Sequence, residues 1–296
     1  MSAKKTFIFI LQVLGLTLIG LVVNIFSSAI TPKPEIVRAA QATADAQTML
    51  LLLIDRFVVA IIFALLLENT LLRGWKLAAL MFWSVFGITT FMMQIETIIF
   101  GSAFPGLSIA DVLLLVLTAL VGTILFIPLA MLVMNRWKGE SAVTKPLFKK
   151  EYLPRLAIIA VIYPMIYFFF GYFVAWQSAA VREFYAHSSI TTAQPLLTII
   201  QIARGALWVI AALPLLVMFE KRWFTILAIA VSFSLLPSIS LILPNPLMPA
   251  AVAHAHFIEI SSSMALFGAL TGWIMTAKDI PFVDQVFHRE VHKTAK

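Results

Sequence analysis

Long apolar runs separated by short polar segments dominate this chain. Eight of these runs approach the roughly 20 residues that an α-helix needs to cross the hydrocarbon core of a bilayer. They lie at residues 6–30, 49–67, 77–100, 108–134, 156–177, 195–219, 224–243 and 251–275. No run alternates between polar and apolar positions as the strands of a membrane barrel do. The pattern therefore predicts an all-α integral membrane protein with eight transmembrane helices.

The first run has a second interpretation, because its small residues Ser27, Ser28 and Ala29 also suit the cleavage site of a secretory signal peptide. It is longer than the roughly 7–15 apolar residues that are typical of such a peptide. We therefore expect it to remain as a spanning helix. The polar segment 31–47 begins with prolines and predicts a loop with a short helix.

Composition supports a membrane protein and excludes several kinds of site. Hydrophobic residues make up 61% of the 296 residues and charged residues only 12%, about half the ~25% found in soluble domains. The chain contains no cysteine, which excludes disulfides, cysteine nucleophiles and thiolate metal sites.

The net charge of +7 reflects membrane topology rather than affinity for nucleic acid. With the N-terminus in the cytoplasm, the segments predicted inside hold 16 of the 21 Lys and Arg residues, and the predicted outer loops hold only Lys33, Arg38 and Arg182. Cytoplasmic loops of membrane proteins carry such an excess of positive charge. We predict cytoplasmic N- and C-termini and a multi-pass protein of the cell membrane, most simply a bacterial cytoplasmic membrane.

The two halves of the chain match each other at an offset of 148 residues. The matched pairs are Glu35 with Glu183, Arg56 with Arg204, Arg73 with Lys221, Trp75 with Trp223, and Asp111 with Glu259. Because charged residues and tryptophan are scarce here, the offset indicates an internal duplication. It predicts two parallel four-helix repeats, 1–148 and 149–296, in one membrane-embedded body. A basic cytoplasmic loop at 135–155 would join them.

Nine polar or charged side chains toward the predicted outer ends of the spans are the candidate site residues. They are Asp55, Arg56, Glu96, Asp111, Gln201, Arg204, His254, His256 and Glu259. Ionisable groups are expensive to bury in a membrane and commonly mark a functional site. We predict that they surround one polar, outward-facing pocket that binds a ligand or protons. His256 and Glu259 share a helical face, whereas His254 points elsewhere.

Some of these groups also have purely structural interpretations. Arg56 with Asp111, and Arg204 with Glu259, recur in both halves and would make structural ion pairs between helices. Alternatively, the two arginines would converge on an anionic head group. Ser108 and Asp111 also have the spacing of a helix-capping box.

Groups without a counterpart in the other half are the stronger candidates for a specialised site. They are Asp55, Glu96, His254 and His256, to which we add Glu259. Histidines and acids in a membrane suit proton coupling. We therefore predict binding or transport of a small anionic or amphipathic, lipid-like ligand, with proton coupling, and prolines at Pro164, Pro214 and Pro237 would supply kinks for gating.

Two other functions remain open, so the sequence does not decide between a carrier and an enzyme. The first is a metal-dependent hydrolase acting near the outer leaflet, with zinc on His256, Glu259 and Glu96; otherwise no cofactor is expected. The second is a non-catalytic subunit that pairs with a partner membrane subunit.

Three further groups have weaker functional interpretations. Ser261, Ser262 and Ser263 lie too close in sequence to His256 for a confident catalytic triad. We assign Tyr163, Tyr167, Phe170 and Gly171 to packing and lipid contact, and the tail with His288 and His292 to a surface helix, with zinc binding as the alternative.

Overall fold

The computed structural model describes residues 2–104, 106–141, 146–186 and 194–278, and every regular element in these residues is a helix. The α-helices are α1 Ala3–Ile30, α2 Glu35–Ala42, α3 Ala46–Asn69, α4 Gly74–Phe86, α5 Met92–Ile99, α6 Ile109–Val133, α7 Tyr152–Phe173, α8 Ala179–Tyr185, α9 Gln194–Met218, α10 Arg222–Ser238 and α11 Ala250–Thr276. A π-helical segment, Gly87–Phe91, joins α4 to α5.

Eight stretches are long and apolar enough to cross a membrane, which confirms the predicted spans. α4, the π segment and α5 form one of them, Gly74–Ile99, while α2 and α8 are too short to span. α2 is the short helix expected in the segment after α1. α1 packs against α3 and α6, as expected of a helix that stays in the bundle.

The second half follows the first in the order of its elements and in their neighbours. α1 packs on α3 and α6, and α7 packs on α9 and α11; α4 packs on α6, and α10 on α11. Across the halves, α4 contacts α9 and α3 contacts α10. Thr70 Oγ1 donates a hydrogen bond of 3.3 Å to the carbonyl of Met218, which lies 148 positions later. The duplication itself stays a prediction from the sequence.

One end of the bundle, the basic end, gathers Arg73, Arg136, Arg155 and Arg222. Arg155 donates to carbonyl oxygens just beyond and within the end of α11, including Ala277 O at 2.8 Å, and Arg73 donates to the carbonyls that follow α6. Cationic side chains favour helix C-termini because the last carbonyls there lack partners within the helix. The predicted cytoplasmic location of this end stays a prediction.

A proline in α9 explains a contact between the halves. Pro214 has no N–H, so the carbonyl of Ile210 loses its usual partner in the helix. The indole Nε1 of Trp83 donates to that carbonyl at 3.1 Å, and Ser84 Oγ donates to the next one, Ala211 O, at 2.8 Å. These bonds hold α4 against α9 immediately before the π segment.

The π segment begins where two helices approach closely. A Cβ atom added at Gly87 would lie only 3.0 Å from the Cβ of Ala211, so glycine permits this approach. A π turn contains one more residue than an α turn, and such turns often occur at functional sites. Residues 142–145 of the predicted connecting loop, and the tail with His288 and His292, lie outside the described residues.

Candidate functional site

The predicted single pocket is wrong, because the polar groups line two separate cavities. Both cavities have a volume of about 380 Å³. Arg204 lines one, which we call the Arg204 cavity, and Arg56 lines the other, the Arg56 cavity. Both cavities lie at the end of the bundle opposite the basic end. This opposite end also carries α2 and α8.

Arg204 is held on α9 with its side chain only 2% exposed. Its Nη1 and Nη2 donate to the two carboxylate oxygens of Glu96 on α5, at 3.3 and 3.1 Å. Nη1 also donates to Gln201 Oε1, one turn earlier on α9, at 2.9 Å. Because a bidentate carboxylate neutralises the guanidinium, this charge can be buried.

Both ring nitrogens of His256 have partners, and Nε2 links α11 to α8. Nδ1 lies 2.8 Å from Glu259 Oε2, one turn later on the same helix, and Nε2 lies 3.1 Å from the hydroxyl of Tyr185. Burial raises the pKa of the Tyr185 phenol, and the negative charges of Glu96 and Glu259 raise it further. The phenol therefore stays protonated. In neutral His256, Nδ1 donates to Glu259 and Nε2 accepts from Tyr185.

Aromatic side chains form most of the remaining wall of the Arg204 cavity. Among them are Phe100, Tyr163, Tyr167, Tyr172, Trp176, Tyr185 and Trp208. Trp208 Nε1 donates to the hydroxyl of Tyr163 at 3.3 Å. The guanidinium carbon of Arg204 lies 5.8 Å from the centre of the Tyr163 ring, close enough for a cation–π contact. The assignment of Tyr163, Tyr167 and Gly171 to packing and lipid contact was therefore incomplete, since all three line this cavity.

The structure brings together four of the predicted site residues on the cavity wall. Glu96, Arg204, His256 and Glu259 all line the Arg204 cavity, and Gln201 supports Arg204 from behind.

The other predicted residues lie elsewhere. His254 is exposed, and Asp55 with Arg56 lines the other cavity. Asp111 forms a capping box with Ser108 at the start of α6, with its carboxylate accepting from Ser108 N at 2.9 Å. For Asp111 the capping alternative is confirmed.

The two predicted ion pairs, Arg56 with Asp111 and Arg204 with Glu259, are wrong. Arg204 pairs with Glu96 rather than Glu259, whose carboxylate lies 2.8 Å from the ring of His256 instead. Arg56 pairs with its chain neighbour Asp55. The alternative in which both arginines converge on one head group is also wrong, since each lines its own cavity.

The hydrolase alternatives find no support in this geometry. Ser261, Ser262 and Ser263 each donate to carbonyls of their own helix, for example Ser262 Oγ to Ile258 O at 2.6 Å. In the part of the chain that the structure describes, no three His, Asp or Glu side chains are arranged to hold a metal ion. The zinc site on His256, Glu259 and Glu96 is therefore not supported.

Sequence reasoning missed residues that lie outside the spans. Tyr185 ends α8, and Lys33 precedes α2. Each lies in a polar segment that reads as a connecting loop, and only the folding of that segment over the bundle brings it to a cavity. A short helix between two spans was the one available signal, because it can return a side chain toward the membrane.

No protein-family model, curated protein or solved structure matches this chain. The eight apolar helices make it a polytopic membrane protein by length and composition. Any finer function must be argued from the cavities.

Proposed function

We propose that this membrane protein binds an amphipathic ligand whose head group carries an ammonium and occupies the Arg204 cavity. The main support is the cavity itself. Its volume of about 380 Å³ falls within the roughly 300–1,000 Å³ of small-molecule sites. Its wall is largely aromatic, with a few polar groups that converge from four helices. This combination suits a ligand with a polar head and an apolar remainder that extends toward lipid.

The charges on the wall favour a positive head group over an anionic one. With His256 neutral, Glu96, Glu259 and Arg204 together leave one negative charge. The guanidinium already binds both oxygens of Glu96, so it is a poor receptor for an anion.

Glu259 is the best partner for an ammonium. Its Oε2 is engaged by His256, and its Oε1 accepts no hydrogen bond from the described residues. The side chain is 11% exposed. An ammonium with N–H donors would donate a hydrogen bond to Oε1 of this carboxylate. A hydrogen bond to a charged group contributes about 1.5–3 kcal/mol. Tyrosine and tryptophan faces around the cavity would add cation–π attraction.

The position of the rim suits a ligand that enters from the bilayer. Tyr172 and Trp176 line the cavity and are 64% and 39% exposed. They lie at and just beyond the end of α7, where aromatic residues commonly meet the membrane interface. A lipid could thus insert its head group while its acyl chains remain among other lipids.

A lipid competition tests this proposal. Purified protein in detergent is offered an equimolar mixture of phosphatidylethanolamine, phosphatidylcholine and phosphatidylglycerol with identical acyl chains, and retained lipids are counted by native mass spectrometry. We expect phosphatidylethanolamine to exceed phosphatidylcholine about tenfold, equivalent to ~1.4 kcal/mol. Only its primary ammonium offers N–H donors to Glu259.

The variant Glu259→Gln removes the negative charge with little change in shape, and should abolish this preference. Glu183→Gln is the matched control, because Glu183 is exposed on α8 and does not line the cavity. Equal retention of phosphatidylethanolamine by wild type and Glu259→Gln, with unchanged thermal unfolding, would contradict the proposal.

A further inference from the structure

The Arg56 cavity is not used by the function proposed above. α1, α2, α3 and α6 supply most of its wall, and Thr89 and Thr90 of the π segment add two hydroxyl groups. The end of α10 and the turn after it contribute Leu236, Pro237, Ile239 and Ser240. Most of its polar wall consists of neutral hydroxyl and amide groups, unlike the aromatic wall of the Arg204 cavity. Its charged groups are Asp55, Arg56 and Lys33.

Arg56 has an open edge on its guanidinium. Nε and Nη2 both bind the same oxygen of Asp55, Oδ2, and Asp55 is fully buried. No described residue accepts a hydrogen bond from Nη1, and the Arg56 side chain is 26% exposed. A guanidinium presents its donors as a rigid fork, so the terminal nitrogens can bind a second planar or tetrahedral anion.

Lys33 brings a second positive charge to the same cavity. Its Nζ donates to Gln41 Oε1 at 2.8 Å, and Gln41 Nε2 donates to Ser28 Oγ at 3.2 Å. This chain of neutral groups orients the ammonium without neutralising it. Within the described ranges, no carboxylate lies within ion-pair distance of Lys33.

The balance of charge in this cavity is therefore positive. Arg56 is neutralised by Asp55, which leaves the charge of Lys33 in excess. Glu35 and Arg38 on α2 pair with each other at 3.4 Å and do not line the cavity.

Gly20 on α1 lies directly beside Arg56, where an added Cβ would contact Arg56 Cδ at 3.5 Å. The cavity thus combines room for a ligand, an unused guanidinium edge and an unneutralised ammonium.

We propose that the Arg56 cavity is a second ligand site, which binds a phosphate or carboxylate group between the terminal nitrogens of Arg56 and the ammonium of Lys33. Its charge preference is opposite to that of the Arg204 cavity. The anion can belong to a lipid head group at the membrane surface or to a small soluble molecule. Both present the same oxygen acceptors, so the experiment has one arm for each.

The lipid arm compares retention of phosphatidylglycerol and phosphatidylethanolamine by native mass spectrometry. The soluble arm measures the thermal unfolding of detergent-purified protein with inorganic phosphate, against chloride at equal ionic strength. In at least one arm we expect wild type to respond about fivefold more strongly than Lys33→Gln. Lys33→Gln should fold, because the only hydrogen bond described for Nζ goes to Gln41.

Two further variants sharpen the result. Arg56→Lys keeps the charge opposite Asp55 but removes the fork, so it should weaken binding as Lys33→Gln does. Arg38→Gln removes one charge from the exposed face of α2 and should retain the wild-type response. Glu259→Gln should also retain it, which separates this site from the function proposed for the Arg204 cavity.

Each outcome decides the proposal. A response to phosphatidylglycerol alone assigns the anion to lipid, and a response to phosphate alone assigns it to a soluble ligand; either supports the site. Equal losses in Arg38→Gln and Lys33→Gln would show general surface attraction and would overturn it. Identical responses of wild type and Lys33→Gln in both arms would also overturn it.

Discussion

Arg56 and Arg204 occupy matched positions on α3 and α9, yet their side chains differ in burial and in the way an acid binds them. Arg204 is 2% exposed and is bound end-on by Glu96, which comes from another helix. Arg56 is 26% exposed and is bound along its side by Asp55, its own neighbour in the chain. The origin of the acid therefore determines which edge of each guanidinium remains for a ligand.

Neither acid has a counterpart in the other half. At the offset of 148 residues, Glu96 matches Pro244 and Asp55 matches Ala203. Each predicted repeat has therefore neutralised its arginine by a different route. With each arginine neutralised, the remaining charge of each cavity comes from another residue, Glu259 in the Arg204 cavity and Lys33 in the Arg56 cavity.

The largest effect that separates the two arginines should come from neutralising their acids. Glu96→Gln leaves Arg204 charged and buried, and breaking a buried pair in this way costs about 3 kcal/mol or more. Asp55→Asn should cost about 1 kcal/mol, because Arg56 can be solvated through its exposed edge. Thermal or denaturant unfolding in detergent measures both changes.

The ratio between these two losses is the informative quantity. Arg38→Gln, at an exposed pair, should leave stability unchanged and serves as the control. An equal loss in Glu96→Gln and Asp55→Asn would mean that the two arginines depend on their acids to the same degree.

The halves also differ in how closely their last two helices pack. A Cβ added at Gly268 would lie 2.8 Å from the Cα of Ala230, and one at Gly272 would lie 2.8 Å from the Cα of Ile226. Small residues four apart allow helices in a membrane to approach closely. The matched positions on α6 are Leu120 and Ile124, which cannot pack in this way.

This contrast predicts a medium-sized effect on stability. Gly268→Ala should destabilise the protein by about 2 kcal/mol, because the added methyl meets backbone that cannot yield. Gly122→Ala on α6 should change stability by less than about 0.5 kcal/mol, since its Cβ would meet Ser27 Oγ at 3.4 Å. Similar losses of stability in both variants would contradict the inferred difference in packing between the halves.

The smallest predicted effect is a dependence of ligand binding on pH in the Arg204 cavity alone. Histidine ordinarily titrates near pH ~6.5. Protonated His256 would neutralise Glu259, so retention of phosphatidylethanolamine should fall several-fold from pH 7.5 to 5.5. The other charged groups around it are Glu96 on α5 and Arg204 on α9. The tyrosine phenols on the same wall are Tyr185 on α8 and Tyr163, Tyr167 and Tyr172 on α7.

His256→Gln removes the titrating group and should make this binding independent of pH. Retention of phosphatidylglycerol, one of the two anions tested for the Arg56 cavity, is the internal control, because none of the described residues that line that cavity is a histidine. A pH profile shared by both lipids would place the titrating group outside the Arg204 cavity.

The spans could be predicted from sequence because hydropathy alone determines which segments a bilayer accepts. The eight predicted runs agree with the observed helices to within about four residues at every end. The capping box at Ser108 was also readable, since it depends only on residues three apart.

The partners of the buried charges could not be predicted in the same way. A pair such as Glu96 with Arg204 depends on which helices are neighbours, and apolar faces do not specify that order. The match between the two halves favoured an ion pair between Arg204 and Glu259. Glu259 instead contacts His256, which lies one turn earlier on the same helix. Tyr185 was missed for the related reason that α8 lies outside every span.

The π segment Gly87–Phe91 determines which side chains of this membrane-spanning helix face each of the two cavities. Thr89 and Thr90 face the Arg56 cavity, whereas Glu96 faces the Arg204 cavity. One residue of an α-helix corresponds to a rotation of about 100°. If the same residues continued as an unbroken α-helix, Glu96 would be rotated away from Arg204 by about that angle. The extra residue therefore fixes the rotation between the two parts of this helix. Thr89 and Thr90 can face one cavity while Glu96, after the π turn, faces the other.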